Sequence, residues 1–339
     1  MKAWLCNRFG DPMDLSIEEV PMPRPGSGEV RIKVCAAGLG FGETLILKGG
    51  YQKTPPLPYI PCSEMSGWVD ACGDGVSGFA PGDRVAAFSV SLAGGGLAEY
   101  CVLPARFVHR IPNRVDLIDA AGFLMNHWTA FNALVRRGAL QPGEVLVVHG
   151  ATGGTGSAAV DIGRAIGARI IATGGDDDRL AHIRADHVVN YRKTPLREEI
   201  LRLTDGDGAD VFFDPVGGDT FDLSMRAIAP GGRVLVVGFA SGRPATARTN
   251  VMLVKMISVI GVEARLALER TGDEGWSDFR EMLRWLDAGQ IDPVATIRVP
   301  FGNALDAFHQ LLDRRHSGKR VVVLDEDAGV TVGQSGRGG

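Results

Sequence analysis

The segment Val145-Leu146-Val147-Val148-His149-Gly150-Ala151-Thr152-Gly153-Gly154-Thr155-Gly156 constrains this chain more than any other. Four apolar residues in succession fit a strand buried on both faces. Glycines follow almost at once, and residues 157–166 then read as a helix. In a cradle of this kind, one glycine permits a tight turn. A second lets the backbone approach a pyrophosphate, and a third lets the helix pack on the strand. The free N–H groups and positive dipole end of the helix then face the anion. The spacing is G-x-x-G-x-x-G rather than the commoner G-x-G-x-x-G. Taken alone, the motif reads equally as an ordinary glycine-rich turn.

The surroundings favour the nucleotide reading. Residues 169–172, 211–213 and 234–237 are further short apolar strands. Strands alternating with helices predict a doubly wound parallel sheet, a Rossmann dinucleotide-binding domain over 121–264. Residues 1–120 have another texture. Polar and apolar residues alternate over 29–34, and Pro21, Pro23, Pro25, Gly26 and Pro81-Gly82-Asp83 mark turns, which suggests a small β-barrel. After about 265 the pattern is mixed. An amphipathic helix is expected over 278–288, with Phe279, Met282, Leu283 and Leu286 on one face, then a helix over 304–312 and a last strand over 321–324. The glycine-rich tail 329–339 is expected to be disordered.

Composition excludes several classes. The net charge of −4 argues against nucleic-acid binding through a broad basic field. No apolar run reaches the length of a membrane span. The opening residues Met1-Lys2-Ala3-Trp4-Leu5 and their successors lack the core of a signal peptide. The expectation is a soluble cytoplasmic protein with no nucleic-acid or membrane partner. The five cysteines are odd in number and form no C-x-x-C, which fits reduced thiols rather than a disulfide framework.

The end of the second strand bears on the choice of cofactor. An acid there would hold the ribose 2′-hydroxyl of NADH and repel a 2′-phosphate. The strand instead runs into Gly174, with Arg179, Tyr191 and Arg192 following, and this favours NADPH. Asp176 is the opposing signal for NADH, and its other reading is the N-cap of a short helix.

Many further segments carry a family resemblance. They include Ala36-Ala37-Gly38-Leu39-Gly40-Phe41-Gly42-Glu43, Pro58-Tyr59-Ile60-Pro61-Cys62-Ser63-Glu64-Met65-Ser66-Gly67, Pro81-Gly82-Asp83-Arg84-Val85 and Gly95-Gly96-Leu97-Ala98-Glu99-Tyr100. In the second half they include Asp214-Pro215-Val216-Gly217-Gly218, Gly231-Gly232-Arg233 and Ser317-Gly318-Lys319. Over nearly its whole length the chain resembles the medium-chain dehydrogenase/reductase superfamily, and within it the zinc-free quinone oxidoreductases. The resemblance implies a GroES-like substrate domain made of 1–120 and 265–328, a central Rossmann domain, and NAD(P)H-dependent reduction in a dimer or tetramer, of which a homodimer is expected here. Relatives with catalytic zinc carry its ligands at positions that fall here on Gly40, Ser63 and Met125. None of these is an ordinary zinc ligand, and Glu64 alone cannot hold the metal. No metal site is expected.

Candidate cofactor contacts are Thr129, Ala151, Thr152, Gly153, Gly154, Thr155, Gly156, Gly174, Arg179, Tyr191, Val216, Gly238, Phe239 and Ala240. Candidate catalytic residues are Tyr51, Asn126 and Thr129. Tyr51 follows two glycines in a loop, where a phenol can face substrate or simply pack. Thr129 matches a family position beside the nicotinamide, or is a helix-interior threonine bonded to its own backbone. Asn126 precedes a lone histidine, His127, which reads more readily as structural than as an acid. The expected activity is NADPH-dependent reduction of quinones or α,β-unsaturated carbonyl compounds. A conjugated acceptor spreads the developing charge and lessens the need for a metal. The alternatives are an alcohol dehydrogenase of saturated substrates and a low-turnover, cofactor-sensing or RNA-binding protein like zeta-crystallin.

Overall fold

The computed structural model describes residues 1–89, 94–313 and 318–325. The expected tail 329–339 lies outside the described residues, as do Ser317 and residues 326–328. The chain divides into two compact units, Met1–Met125 with Pro293–Gly339, and Asn126–Asp292. In chain order the strands are β1 (Lys2–Leu5), β2 (Ser16–Glu19), β3 (Glu29–Leu39), β4 (Glu64–Cys72), β5 (Arg84–Phe88), β6 (Tyr100–Pro104) and β7 (Val108–Arg110). Then come β8 (Val145–Val148), β9 (Arg169–Gly174), β10 (His187–Asn190), β11 (Ala209–Asp214), β12 (Ile228–Val236), β13 (Ser258–Gly261), β14 (Thr296–Pro300) and β15 (Lys319–Val323).

The first unit is a β structure made from both ends of the chain. Its main sheet runs β14-β15-β3-β4-β5-β7, with β6 paired to β3. The long strand β3 has antiparallel partners in β4, β6 and β15. That central place explains why the alternation of residues 29–34 gives way to an unbroken buried run from Cys35 to Leu39. One core joins Trp4, Leu39, Ile46 and Leu47 to Val299, Phe308 and Val322, so residues far apart in sequence close it.

The second unit holds a parallel sheet in the order β10-β9-β8-β11-β12-β13. Strand β8 lies inside it, and Leu146, Val147 and Val148 are fully buried, as an uninterrupted apolar run requires. The chain winds to one side of β8 through β9 and β10, then to the other through β11, β12 and β13. Sheets of this kind bind ligands beyond the carboxyl ends of their strands, at that reversal.

The unit boundary differs from the expected one. Residues 265–292 belong with the second unit, not the first. Helices Ala264–Thr271 and Asp273–Asp287 follow β13 directly. The apolar face of the second puts Phe279 against Trp128 with ring centroids 5.7 Å apart, and Trp285 against Phe131 at 5.3 Å. Arg136 pairs with Asp278 beside them. Burying that face outweighs the change of texture near 265. The first boundary likewise falls after Met125 rather than at 120. Among the described residues no helix is long and apolar enough to cross a membrane. All five cysteines are free thiols.

Candidate nucleotide and substrate sites

At the carboxyl end of β8 the chain turns through Gly150 with φ of 58°. A side chain in that left-handed conformation would cost about 1 kcal/mol. A Cβ on Gly156 would run into the Gly150 carbonyl oxygen, so only glycine lets the helix seat on the turn. Helix Gly154–Ile166 begins after Gly153, which offers no side-chain cap. Its first N–H groups therefore stay available to an anion. Ala151 is buried and donates its N–H to the Thr173 carbonyl at 3.0 Å, which ties the turn to β9.

Asn126 rests on this turn. Its Oδ1 accepts from Thr155 Oγ1 at 3.2 Å, and a Cβ on Gly154 would stand 2.8 Å from its Nδ2. Thr129 lies three residues on in the same helix, Leu124–Phe131, and so on the same face. Both side chains are buried.

The loops after β11 and β12 complete the strand ends. Asp214 Oδ1 accepts from the N–H groups of Val216 and Gly217, both at 2.9 Å, which fixes the Pro215 turn. Val216 Cγ2 stands 3.4 Å from a Cβ position on Gly150. The Ala240 and Ser241 N–H groups donate back to Pro215 and Val216. Phe239 packs at Gly217 and leaves 45% of its surface exposed. The turn 150–156, Val216 and the segment 238–240 thus meet at one end of the sheet.

His149 underlies this end and had no assigned role in the sequence. It is fully buried, with Nδ1 3.0 Å from Thr173 Oγ1 and Nε2 2.8 Å from Ser224 Oγ. Ser224 spends its hydroxyl proton on the Thr220 carbonyl at 2.9 Å. Nε2 must then carry the proton and donate to Ser224, while Nδ1 accepts from Thr173. Burial pushes the imidazole pKa down to about 4, against a smaller upward pull from Asp214. The ring is a neutral clamp between β8, β9 and helix Asp219–Ala227.

At the end of β9 the acidic loop is used internally. Asp176 caps helix Asp177–Leu180 by accepting from the Arg179 N–H at 3.1 Å, and its other oxygen lies 3.7 Å from Arg179 Nε. Asp177 is held by Asn190 and Lys193. Thr152 Cγ2 stands 3.4 Å from a Cβ position on Gly174. A Cβ on Gly175 would meet Tyr191 Oη at 2.7 Å and Arg192 Nε at 3.0 Å, so both side chains lie directly over the strand end. Among the described residues no acceptor holds the Arg192 guanidinium.

Tyr51 belongs to the first unit. It follows helix Phe41–Leu47, packs partly buried against that unit's core and lies 3.7 Å from a Cβ position on Gly42. Buried Glu43, in the same helix, accepts from Tyr59 Oη, the N–H groups of Cys62 and Ser63, and Ser63 Oγ at 2.8–3.3 Å. These bonds hold Cys62 at φ 68°. Burial, then the neighbouring Glu43 charge, pushes the Cys62 thiol up.

The ligand positions of zinc-bearing relatives do not fit a metal here. Gly40 has no side chain, and Ser63 Oγ is spent on Glu43. Glu64 accepts from Lys319 Nζ at 2.7 Å and from the Met125 N–H at 3.0 Å. An ammonium thus already holds the one carboxylate left from that set. No cluster of three metal-binding side chains occurs among the described residues.

Comparison with known proteins follows the same division of the chain. The alcohol dehydrogenase GroES-like domain matches residues 26–113, and the zinc-binding dehydrogenase domain matches residues 154–288. Mouse quinone oxidoreductase-like protein 2 is 36% identical over 95% of this chain and 92% of its own. Human quinone oxidoreductase is 30% identical, over 96% and 98%. The structure of mycobacterial Rv1454c complexed with NADPH is similar with a TM-score of 0.84 at 29% identity, covering 96% of this chain and all of the other.

Proposed function

This chain belongs to the medium-chain dehydrogenase/reductase superfamily of oxidoreductases, and we propose that it is an NADPH-dependent, zinc-independent reductase of quinones or α,β-unsaturated carbonyl compounds. The observation that carries the cofactor reading is the end of β9. Tyr191 Oη and the uncommitted Arg192 guanidinium lie over Gly175, while the nearby Asp176 carboxylate is occupied with its cap. A cation and a phenol at that place suit a 2′-phosphate. The NADPH complex of a 29% identical protein supports the same choice.

In this reading the N–H groups of the 154–166 helix take the pyrophosphate, and the turn 150–156 keeps side chains out of its way. Val216, Gly238, Phe239 and Ala240 line the nicotinamide end, with Thr152 and Gly174 toward the adenosine. Asn126 and Thr129 present an amide and a hydroxyl from one helix face, and Tyr51 offers a phenol to substrate. Bound there, the reduced nicotinamide supplies a hydride to a conjugated carbon, and a proton from water completes the two-electron reduction. The substrate class rests on the quinone oxidoreductase relatives and on the poor fit of the zinc-ligand positions to a metal. A conjugated acceptor needs less electrophilic help than a saturated carbonyl.

The test is direct. NADPH oxidation is followed with a panel of quinones and enones, and NADPH and NADH binding by quenching of tryptophan fluorescence. Saturable NADPH binding with no oxidation across the panel overturns the reductase reading. Equal affinity for NADH overturns the cofactor reading.

We also propose a homodimer through the edge of the parallel sheet. Strand β13 ends the sheet, and helix Thr249–Lys255 before it exposes Leu253 at 79% and Val254 at 82%, with Met256 next at 76%. Large apolar side chains clustered beside an open strand edge are the features that a second copy buries.

A further inference from the structure

The first unit contains a buried cation beside a glycine. Lys319 opens β15, and its side chain and that of Glu64 are 5% and 4% exposed. The stem crosses Gly122, where a Cβ would stand 2.8 Å from Lys319 Cγ, so its path depends on that glycine. Nζ donates to Glu64 Oε2 at 2.7 Å, the one acceptor it has among the described residues. An ammonium carries three N–H donors. Glu64 Oε2 takes one of them, and where a second polar group can reach Nζ is set by the surrounding chain.

That place is at Gly40. The residue is partly exposed and extended, with φ −109° and ψ 157°. Among the described residues beyond its chain neighbours, the one heavy atom within 4 Å of a Cβ position there is Lys319 Nζ, at 3.9 Å. The missing side chain leaves a small opening with an ammonium in its wall. Met125 N–H holds the far oxygen of Glu64 at 3.0 Å, and the near oxygen fixes Nζ.

We propose that this opening is an oxyanion site, in which the oxygen of a quinone or enone enters beside Gly40 and accepts a hydrogen bond from Lys319 Nζ. The assignment rests on the reductase reading above. Hydride addition to a conjugated carbon brings two electrons, which leave an enolate with its charge on that oxygen, and a quinone's adduct then shifts its ring C–H proton to the second oxygen through water to become the hydroquinone. Water then supplies the proton that completes the product. Lys319 loses no proton. It acts as a fixed charge whose hydrogen bond strengthens as the oxygen becomes negative, and Glu64 is the positioning residue that aims it. The cation is therefore part of the chain and needs no metal.

The experiment uses 4-nitrophenol, whose phenolate is coloured and imitates the product anion. Titrated into the full-length protein without cofactor, the phenolate is expected to bind about tenfold more tightly than the phenol, as a charge-assisted bond requires. Lys319→Met should abolish that preference, and Lys319→Arg should keep most of it. Because Lys319→Met strands a buried carboxylate, the pair Lys319→Met with Glu64→Gln provides a neutral control. Gly40→Asn is compatible with the local backbone, fills the opening and should remove phenolate binding without lowering the melting temperature. In turnover with NADPH and 1,4-naphthoquinone, Lys319→Met should lower kcat about 100-fold with KM little changed. A wild-type protein without phenolate preference, a Lys319→Met protein that retains it, or unaltered binding in Gly40→Asn overturns the proposal. Absence of turnover in the wild type sinks the reductase reading instead, and the phenolate titration still reports on Lys319.

Discussion

Asn126 Oδ1 accepts a hydrogen bond from Thr155 Oγ1 at 3.2 Å, and its Nδ2 occupies the space in which Gly154 would carry a Cβ. The glycine turn and the helix that carries Asn126 and Thr129 are thereby locked together. Gly154→Ala should displace Asn126 while slightly favouring the helix. We expect melting within about 1 kcal/mol of wild type and an NADPH dissociation constant raised about tenfold. Fluorescence titration beside a thermal melt checks both. Unchanged affinity would separate Asn126 from the cofactor site.

Arg192 tests cofactor choice. Removing its guanidinium by Arg192→Ala should weaken NADPH by about 1.5–3 kcal/mol, the range of a charge-assisted bond, and leave NADH within twofold. Equal losses for both cofactors would place Arg192 away from the 2′-phosphate.

His149 makes stability depend on pH. Its imidazole is held near pKa 4 in the folded chain by burial, below the ordinary histidine value of 6.5. Between those values the unfolded chain binds a proton that the folded chain refuses, so stability falls as pH drops. From pH 7 to pH 4 the loss from this group approaches about 3 kcal/mol. Urea unfolding of wild type and His149→Asn at both pH values isolates it. The variant should be less stable at pH 7 but lose less on acidification, and parallel losses would contradict the neutral clamp.

Glu43 is the anchor of the Cys62–Ser63 loop. Glu43→Ala strands the two N–H groups, the Tyr59 hydroxyl and the Ser63 hydroxyl that it now accepts. Buried unsatisfied groups cost about 1–3 kcal/mol each, so a loss of at least about 3 kcal/mol is expected by denaturant unfolding. Glu43→Gln keeps the acceptor oxygen for part of the set and should lose less.

Leu253 and Val254 test the assembly. Asp at both positions puts charge on the exposed helix face without touching the core. The wild type should run as a dimer in light scattering and the double variant as a monomer, with NADPH affinity unchanged. A monomeric wild type refutes the dimer.

Much of the turn proposed to hold the nucleotide was legible because its signals are local. The apolar run 145–148, the glycines of 150–156 and the Pro215 turn each act within a few residues, and backbone sterics write them into the sequence. The same locality explains the double meaning of Asp176. An acid near a strand end and an N-cap look alike until the Arg179 N–H is seen to point at it. Texture changes at 265, whereas the packing of Phe279 and Trp285 on Trp128 and Phe131 decides which unit the helix joins.

By itself, then, the sequence determined the parallel sheet, the glycine turn at 150–156 and the absence of ordinary zinc ligands at Gly40, Ser63 and Met125. Tertiary structure alone decided what stands there instead. Lys319 reaches Glu64 from 255 residues away, through strand pairing between β15 and β3 and a stem laid over Gly122. Such a contact leaves no periodicity or spacing in the chain. It exists only because burying the two ends of the protein in one core brings a cation to a carboxylate where neither could remain alone.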